Sequence, residues 1–260
     1  MSPRRQDYYD YCESLVRESD RDLWIACLFT PAPARKYIHA IYAFAHETST
    51  VRDKVSQPVL GEMRLRWWSD IIEADAAVDA AAPPVAAALL EAAREFDLPR
   101  EELTALVEAR IFDLYDDPLS TVAALEDYCR ATAAAPIRWA GKIIGAAPSA
   151  AFDDAGLAHG LTRLLMGRNP AFIPRELSAT AGLTTARRQL AELAGRKFES
   201  ARSEAARLNI GREALLPTAT VPLYLEQLAR TGYDPEAALS EPSPLRRQWR
   251  LWRASRGAGL

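Results

Sequence analysis

Forty-eight of the 260 residues are alanine. Alanine loses no side-chain entropy in a helix and is the strongest helix former. The chain shows little of the β-branched alternation that would favour strands. Apolar residues recur instead at spacings of three and four. In 31–47 these are Tyr37, Ile38, Ile41, Tyr42 and Ala45, with Pro31 or Pro33 suited to the first turn. In 58–74, Leu60, Met63, Trp67 and Ile71 form a stripe that Trp68 and Ile72 widen. Leu157, Leu161, Leu164 and Leu165 repeat the pattern, and Leu190, Ala194, Phe198, Ala201, Ala205 and Leu208 hold a longer seam. The expectation is an all-α chain of roughly ten helices.

The breaks divide these segments. An alanine-rich stretch over 74–82 ends at Pro83-Pro84 and reads as a loop or frayed helix end. Pro99 opens a helix with Glu101 and Glu102 in its first turn, where the helix dipole favours acids. Asp116-Asp117-Pro118 is a turn, and Thr121 is placed to cap a helix that runs to about Ile144 and that Pro136 must kink or break. Asp153-Asp154 reads as the cap of the next helix, and 169–185 reads as irregular. With 49% hydrophobic and 26% charged residues, the chain is an ordinary globular one that forms a single domain over 1–240, followed by a basic tail over 241–260. Nothing approaches the roughly 20 apolar residues that span a bilayer. The polar start lacks the apolar middle of a signal peptide. Cys12, Cys27 and Cys129 have no paired spacing, which excludes a disulfide framework and leaves them as small buried hydrophobes. A net charge of −3 gives no reason to expect nucleic acid.

Few side chains form a chemical constellation on their own. Asp113, Asp116 and Asp117 have metal-compatible spacing if a helix continues through them, and otherwise end one. His39, His46 and His159 are far apart, and there is no nucleophile–histidine pair or glycine-rich phosphate loop. Arg64 and Arg110 are candidates to meet a ligand phosphate or to pair with nearby acids. Segment 244–256 reads as a helix begun by a proline, with Leu245, Trp249 and Trp252 on one stripe and Arg246, Arg247, Arg250 and Arg253 around it. That composition suits a helix lying in an anionic membrane interface, or one packed on the net-acidic remainder of the chain.

Three stretches in order resemble the squalene/phytoene synthase family of head-to-head prenyl transferases. They are Phe29–Arg35 with Ile41-Tyr42-Ala43-Phe44, then Leu125–Ala133, then Gly160–Leu165 with Phe172-Ile173-Pro174. The resemblance implies an all-α isoprenoid-synthase bundle, with the helices over 31–52 and 156–168 facing each other across a central cavity. It also implies two Asp-x-x-x-Asp motifs that hold magnesium against a prenyl diphosphate. Here the first motif reads Ser49-Thr50-Val51-Arg52-Asp53, so only Asp53 keeps an acid. The second falls in Met166-Gly167-Arg168-Asn169-Pro170-Ala171, which has none. The segments Asp53-Lys54-Val55 to Trp68 and Glu108 to Asp117 are similar to the respiratory complex I assembly factor branch of that family, whose aspartate motifs are degenerate.

That resemblance implies a non-catalytic protein assisting assembly of a membrane respiratory complex, with an isoprenoid or lipid in the vestigial cavity. The alternative is an active prenyl diphosphate transferase with a reduced metal site. No cofactor is expected, and Mg²⁺ only under the alternative, with Asp53, Asp113 and Asp117 as its candidates. Tyr42, His46, Arg64, Arg110 and Arg168 are the cavity candidates, and Glu47 reads as an ion-pair partner. Trp249, Trp252, Arg246, Arg250 and Arg253 are the candidate contacts to a membrane or to a respiratory-complex partner. The short stretch before the first family-like segment suggests a bacterial, cytoplasmic protein without a transit peptide, working at or near the inner membrane.

Overall fold

The computed structural model describes residues 3–74, 83–115, 117–167 and 169–257. Of the alanine-rich stretch read over 74–82, Ala74 ends a helix and residues 75–82 lie outside the described residues, as do Asp116 and Arg168. Among the described residues there are thirteen α-helices and no strand. They are α1 (Pro3–Ser19), α2 (Arg21–Cys27), α3 (Ala32–Ser49), α4 (Pro58–Ala74), α5 (Pro84–Glu95), α6 (Arg100–Ile111), α7 (Val122–Cys129), α8 (Ala135–Ile143), α9 (Ala150–Gly167), α10 (Arg175–Ala181), α11 (Leu183–Ala205), α12 (Val221–Arg230) and α13 (Pro244–Ser255).

The starts and stops follow local chemistry. Asp20 caps α2 by accepting from the Leu23 amide at 2.9 Å. The turn into α3 is tied by Arg35, whose guanidinium donates to the carbonyls of Cys27 (3.1 Å), Leu28 (2.8 Å) and Thr30 (2.9 Å). One cation thus ties carbonyls at and just beyond the end of α2, and that of Cys27 also accepts from the Thr30 amide and hydroxyl. Thr121 caps α7 through the Ala124 amide. The helix expected over 121–144, kinked or broken at Pro136, is three pieces: α7, one π turn over Arg130–Ala134, and α8 with Pro136 in its first turn. Proline lacks an N–H, and the extra residue of a π turn moves the chain past the missing bond without unfolding it.

Other expectations are corrected. Asp153 and Asp154 do not cap α9 but lie inside it. Ser149 precedes the helix, its hydroxyl accepting from the Ala151 amide, while Asp153 pairs with Arg138 and Asp154 with Lys197. The stretch 169–185 is not irregular, because α10 fills 175–181 and α11 begins directly after Gly182. On α4 the inward face is Leu65, Trp68 and Ile72, while Leu60, Met63 and Trp67 are exposed. Apolar residues surround this helix, so spacing alone does not choose its buried side.

Two apolar cores hold the bundle. One joins α1, α3, α5, α6 and α8 around Phe44, Leu89, Leu106 and Trp139, and takes in Leu251 from α13. The other joins α7, α9 and α11 through Leu125, Leu157, Leu161, Leu165, Leu190 and Ala194. The three cysteines are buried and unpaired by disulfides. Arg187, only 2% exposed, bridges the second core by donating to the carbonyls of Leu165 (2.9 Å) and Tyr233 (3.1 Å). A buried charge is tolerated because such hydrogen bonds compensate its lost hydration.

Candidate functional site

Helices α3 and α9 stand on either side of a cavity of ≈ 430 Å³, within the size range of small-molecule sites. From α3 come Tyr42, His46 and Ser49, and from α9 come His159, Thr162 and Arg163. The i, i+4 and i+3 spacings put each trio on one side of its helix. The π turn adds Thr132, α6 adds Arg110, and α7 adds Tyr128. Asp20, Asp22, Tyr224, Glu241 and Arg247 complete another part of the wall.

Most of the titratable groups here are held neutral or tied to a partner. Tyr42 is 8% exposed, its hydroxyl is buried with no hydrogen-bond partner, and burial pushes its pKa well up. Burial, reinforced by the neighbouring Arg163 charge, pulls His159 down to about 4, and burial with Lys54 lowers His46. Both imidazoles are therefore neutral near pH 7. Arg110, Asp113 and Tyr128 form a closed cluster. Arg110 Nη1 donates to Asp113 Oδ2 (3.1 Å) and to Tyr128 Oη (2.8 Å), and Tyr128 Oη donates to Asp113 Oδ1 (2.6 Å). Burial opposes the Arg110 charge, but Tyr128 and Asp113 outweigh it and its pKa rises. Arg247 Nε lies 2.7 Å from Asp22 Oδ2, and the same guanidinium meets Glu241 and Tyr224.

The candidates read from the sequence divide accordingly. Tyr42, His46, Ser49 and Arg110 meet at the cavity. Arg64 does not reach it, because it stands on α4 outside the lining. Asp53 also stays outside, in a short 3₁₀ turn after α3, and the neighbouring Arg52 donates to the Asp113 carbonyl at 2.7 Å. Asp113 is bound into the Arg110–Tyr128 cluster. The helix stops at Ile111, so Asp117 does not share a helical face with it. Sequence reasoning did not single out Arg163, His159, Tyr128 or the Asp22–Arg247 pair. The first three stand within or beside the family-like stretches, whereas the pair joins residues distant in the chain. On α13 the indoles of Trp249 and Trp252 face outward, Arg246 pairs with Glu226, and Arg250 donates to the Ala219 carbonyl.

The profile of the squalene/phytoene synthase family matches residues 16–167, more than half of the chain and both principal walls of the cavity. The chain belongs to this family. Among its relatives is the human NADH dehydrogenase (ubiquinone) complex I assembly factor 6, 27% identical over 183 residues, which are 67% of this chain and 55% of that protein. The presqualene diphosphate synthase of Sinorhizobium fredii is 28% identical over 168 residues, 60% of this chain and 58% of that one. This squalene/phytoene synthase family chain thus spans little more than half the length of these relatives. Its fold is also that of a dehydrosqualene synthase, with a TM-score of 0.75 at 18% identity over 97% of both chains. A squalene synthase from Alicyclobacillus acidocaldarius gives 0.74 at 19% identity, over 90% of this chain and 98% of that one.

The residues present do not fit the magnesium cluster that family membership brings to mind. Magnesium takes near-octahedral oxygen ligands, chiefly carboxylates and phosphates. At the first motif Ser49 Oγ donates to the His46 carbonyl at 2.8 Å, and Asp53 lies outside the lining. On α9 the cavity side carries His159, Thr162 and Arg163. The wall's carboxylates are engaged, Asp20 as the α2 cap and Asp22 and Glu241 by Arg247. No group of three potential ligands occurs among the described residues.

Proposed function

We propose that this chain is a family member without prenyl transferase chemistry, which assists assembly of a membrane respiratory complex of the complex I type and holds an isoprenoid or similar lipid in its cavity. The observation that carries the reading is the cavity side of α9, which presents a cation and two neutral side chains, Arg163, His159 and Thr162, and supplies no carboxylate to the wall. The match to the complex I assembly factors supports the same reading from the sequence side. A wall of neutral Tyr42, His46 and His159 with cations at Arg110 and Arg163 suits an amphiphile with a polar, electron-rich head. On this reading the protein needs no cofactor and works beside the membrane that holds its client.

The test has two arms. Deleting the gene in its native host is expected to lower assembled complex I and NADH-driven quinone reduction in isolated membranes, and a plasmid copy restores both. Purified protein given farnesyl or geranylgeranyl diphosphate with magnesium is expected to release no pyrophosphate. Magnesium-dependent release that disappears in Asp53→Ala overturns the reading and makes the chain a transferase with a reduced metal site.

A further inference from the structure

Helix α13 has two faces with opposite character. Successive helical residues turn by about 100°, so Arg247, Leu251 and Ala254 share one side, and Leu245, Trp249 and Trp252 lie about half a turn away. The first side points inward: Leu251 and Ala254 are buried, and Arg247 joins Asp22 and Tyr224 in the cavity wall. The second is open, with Leu245 79%, Trp249 59% and Trp252 40% exposed. The two indoles stack on each other, ring centroids 4.9 Å apart, and the Arg256 guanidinium lies 4.4 Å over Trp252. Arg246 and Arg253 sit at one rim of the stripe. Segment 243–260 contains five arginines and no acid. Burial, then the neighbouring Arg253 and Arg202 charges, lower the pKa of Arg250, and Arg202 itself pairs with Glu199.

Three exposed side chains are far fewer than the roughly 20 residues a side of a stable protein interface, so a second protein copy gains little by covering them. A bilayer surface needs no such area. Tryptophan places an apolar ring and a polar N–H at the headgroup boundary, and arginines meet headgroup phosphates. We propose that the outer face of α13 docks on an anionic phospholipid surface, with Leu245, Trp249 and Trp252 entering the headgroup boundary and Arg253 and Arg256 meeting the phosphates. The cavity is then held one helix diameter, about 10 Å, from the membrane, because Arg247 on the opposite face belongs to its wall. The proposal deepens the membrane-side reading above, and its test is separate from the assembly phenotype. Failure of vesicle binding leaves the deletion result standing, and failure of the deletion result leaves vesicle binding standing.

The experiment is co-sedimentation of the full chain with vesicles of phosphatidylcholine and phosphatidylglycerol in about a two-to-one ratio, against vesicles of phosphatidylcholine alone. Binding is expected to the mixed vesicles, with much weaker binding to the neutral ones, and to weaken as salt rises. Trp249→Ser with Trp252→Ser is expected to lower the partition coefficient about ten-fold or more, and Arg253→Gln by about five-fold, at about 1 kcal/mol per basic residue near the surface. These side chains are exposed, so an unchanged circular dichroism melt shows that the fold is kept. Leu245→Ser serves as a second variant at the opposite end of the stripe. Equal partition to anionic and neutral vesicles, or equal binding by the tryptophan variant and the parent, overturns the proposal. So does binding of a protein through this face without any binding to vesicles.

Discussion

At the residue scale, His39 shows how burial sets a property that spacing does not reveal. It is 1% exposed on α3, its Nε2 has no partner, and its Nδ1 is 3.9 Å from Glu13. Burial pulls it down to about 4, against a weaker opposing pull from Glu13. Between pH about 4 and 6.5 the unfolded chain therefore binds a proton that the folded one refuses, so stability falls as pH drops through that window. His39→Leu is expected to reduce this loss on going from pH 7 to 4 by on the order of 2–3 kcal/mol, read from urea unfolding at the two pH values. An equal acid sensitivity in parent and variant counts against the assignment. The sequence marked His39 only as one of three scattered histidines, because charge burial depends on what packs over the ring.

At the scale of elements, two glycines of α9 let that helix lie directly against the π turn. A Cβ at Gly156 would stand 2.2 Å from Ala134 Cα and 2.4 Å from Ala134 Cβ. One at Gly160 would stand 2.9 Å from Ala133 Cβ and 3.1 Å from Cys129 Sγ. The two glycines, four residues apart, let the backbones meet and so place Thr162 and Arg163 against the cavity. Gly156→Val is expected to destabilise by roughly 3 kcal/mol or more, since the neighbour it strikes is backbone and cannot swing away. Gly160→Ala meets Ala133 Cβ and Cys129 Sγ at 2.9 and 3.1 Å, a milder clash than at Gly156, and is expected to cost about 1–2 kcal/mol. Chemical denaturation midpoints rank the two; equal midpoints would mean that the helices separate at little cost. Legibility at this scale was uneven. The long seams of α9 and α11 read correctly because one face of each is apolar. The α4 stripe read one residue out of place, because that helix is apolar on more than one side.

For the whole molecule, the cavity is a balance of groups from many helices. Replacing Ser49 restores one carboxylate to α3, but Arg163 and His159 still project from α9. Ser49→Asp is therefore expected to leave the protein without magnesium-dependent pyrophosphate release from farnesyl diphosphate. A burst of pyrophosphate from that single variant would show that the α9 side tolerates a metal after all. Attachment of α13 belongs to the same scale, since Arg247 links it to Asp22 from α2, and Leu251 enters the core shared by α1, α3 and α8.

The amino-acid sequence by itself determined that the chain is helical, where α3, α4 and α13 begin and end to within a residue or two, and which family it resembles. Those properties depend on propensity, prolines, capping residues and short motifs, all of which act within a few positions. Tertiary structure decided which faces are buried, that Asp53 and Arg64 stand outside the cavity, and that Arg163, His159 and Tyr128 stand in it. It also decided that the α13 tryptophans point outward while Arg247 points in. Burial, ion pairing and pKa follow from neighbours brought together across the chain, and a helical stripe carries no mark of the side on which its partner will pack.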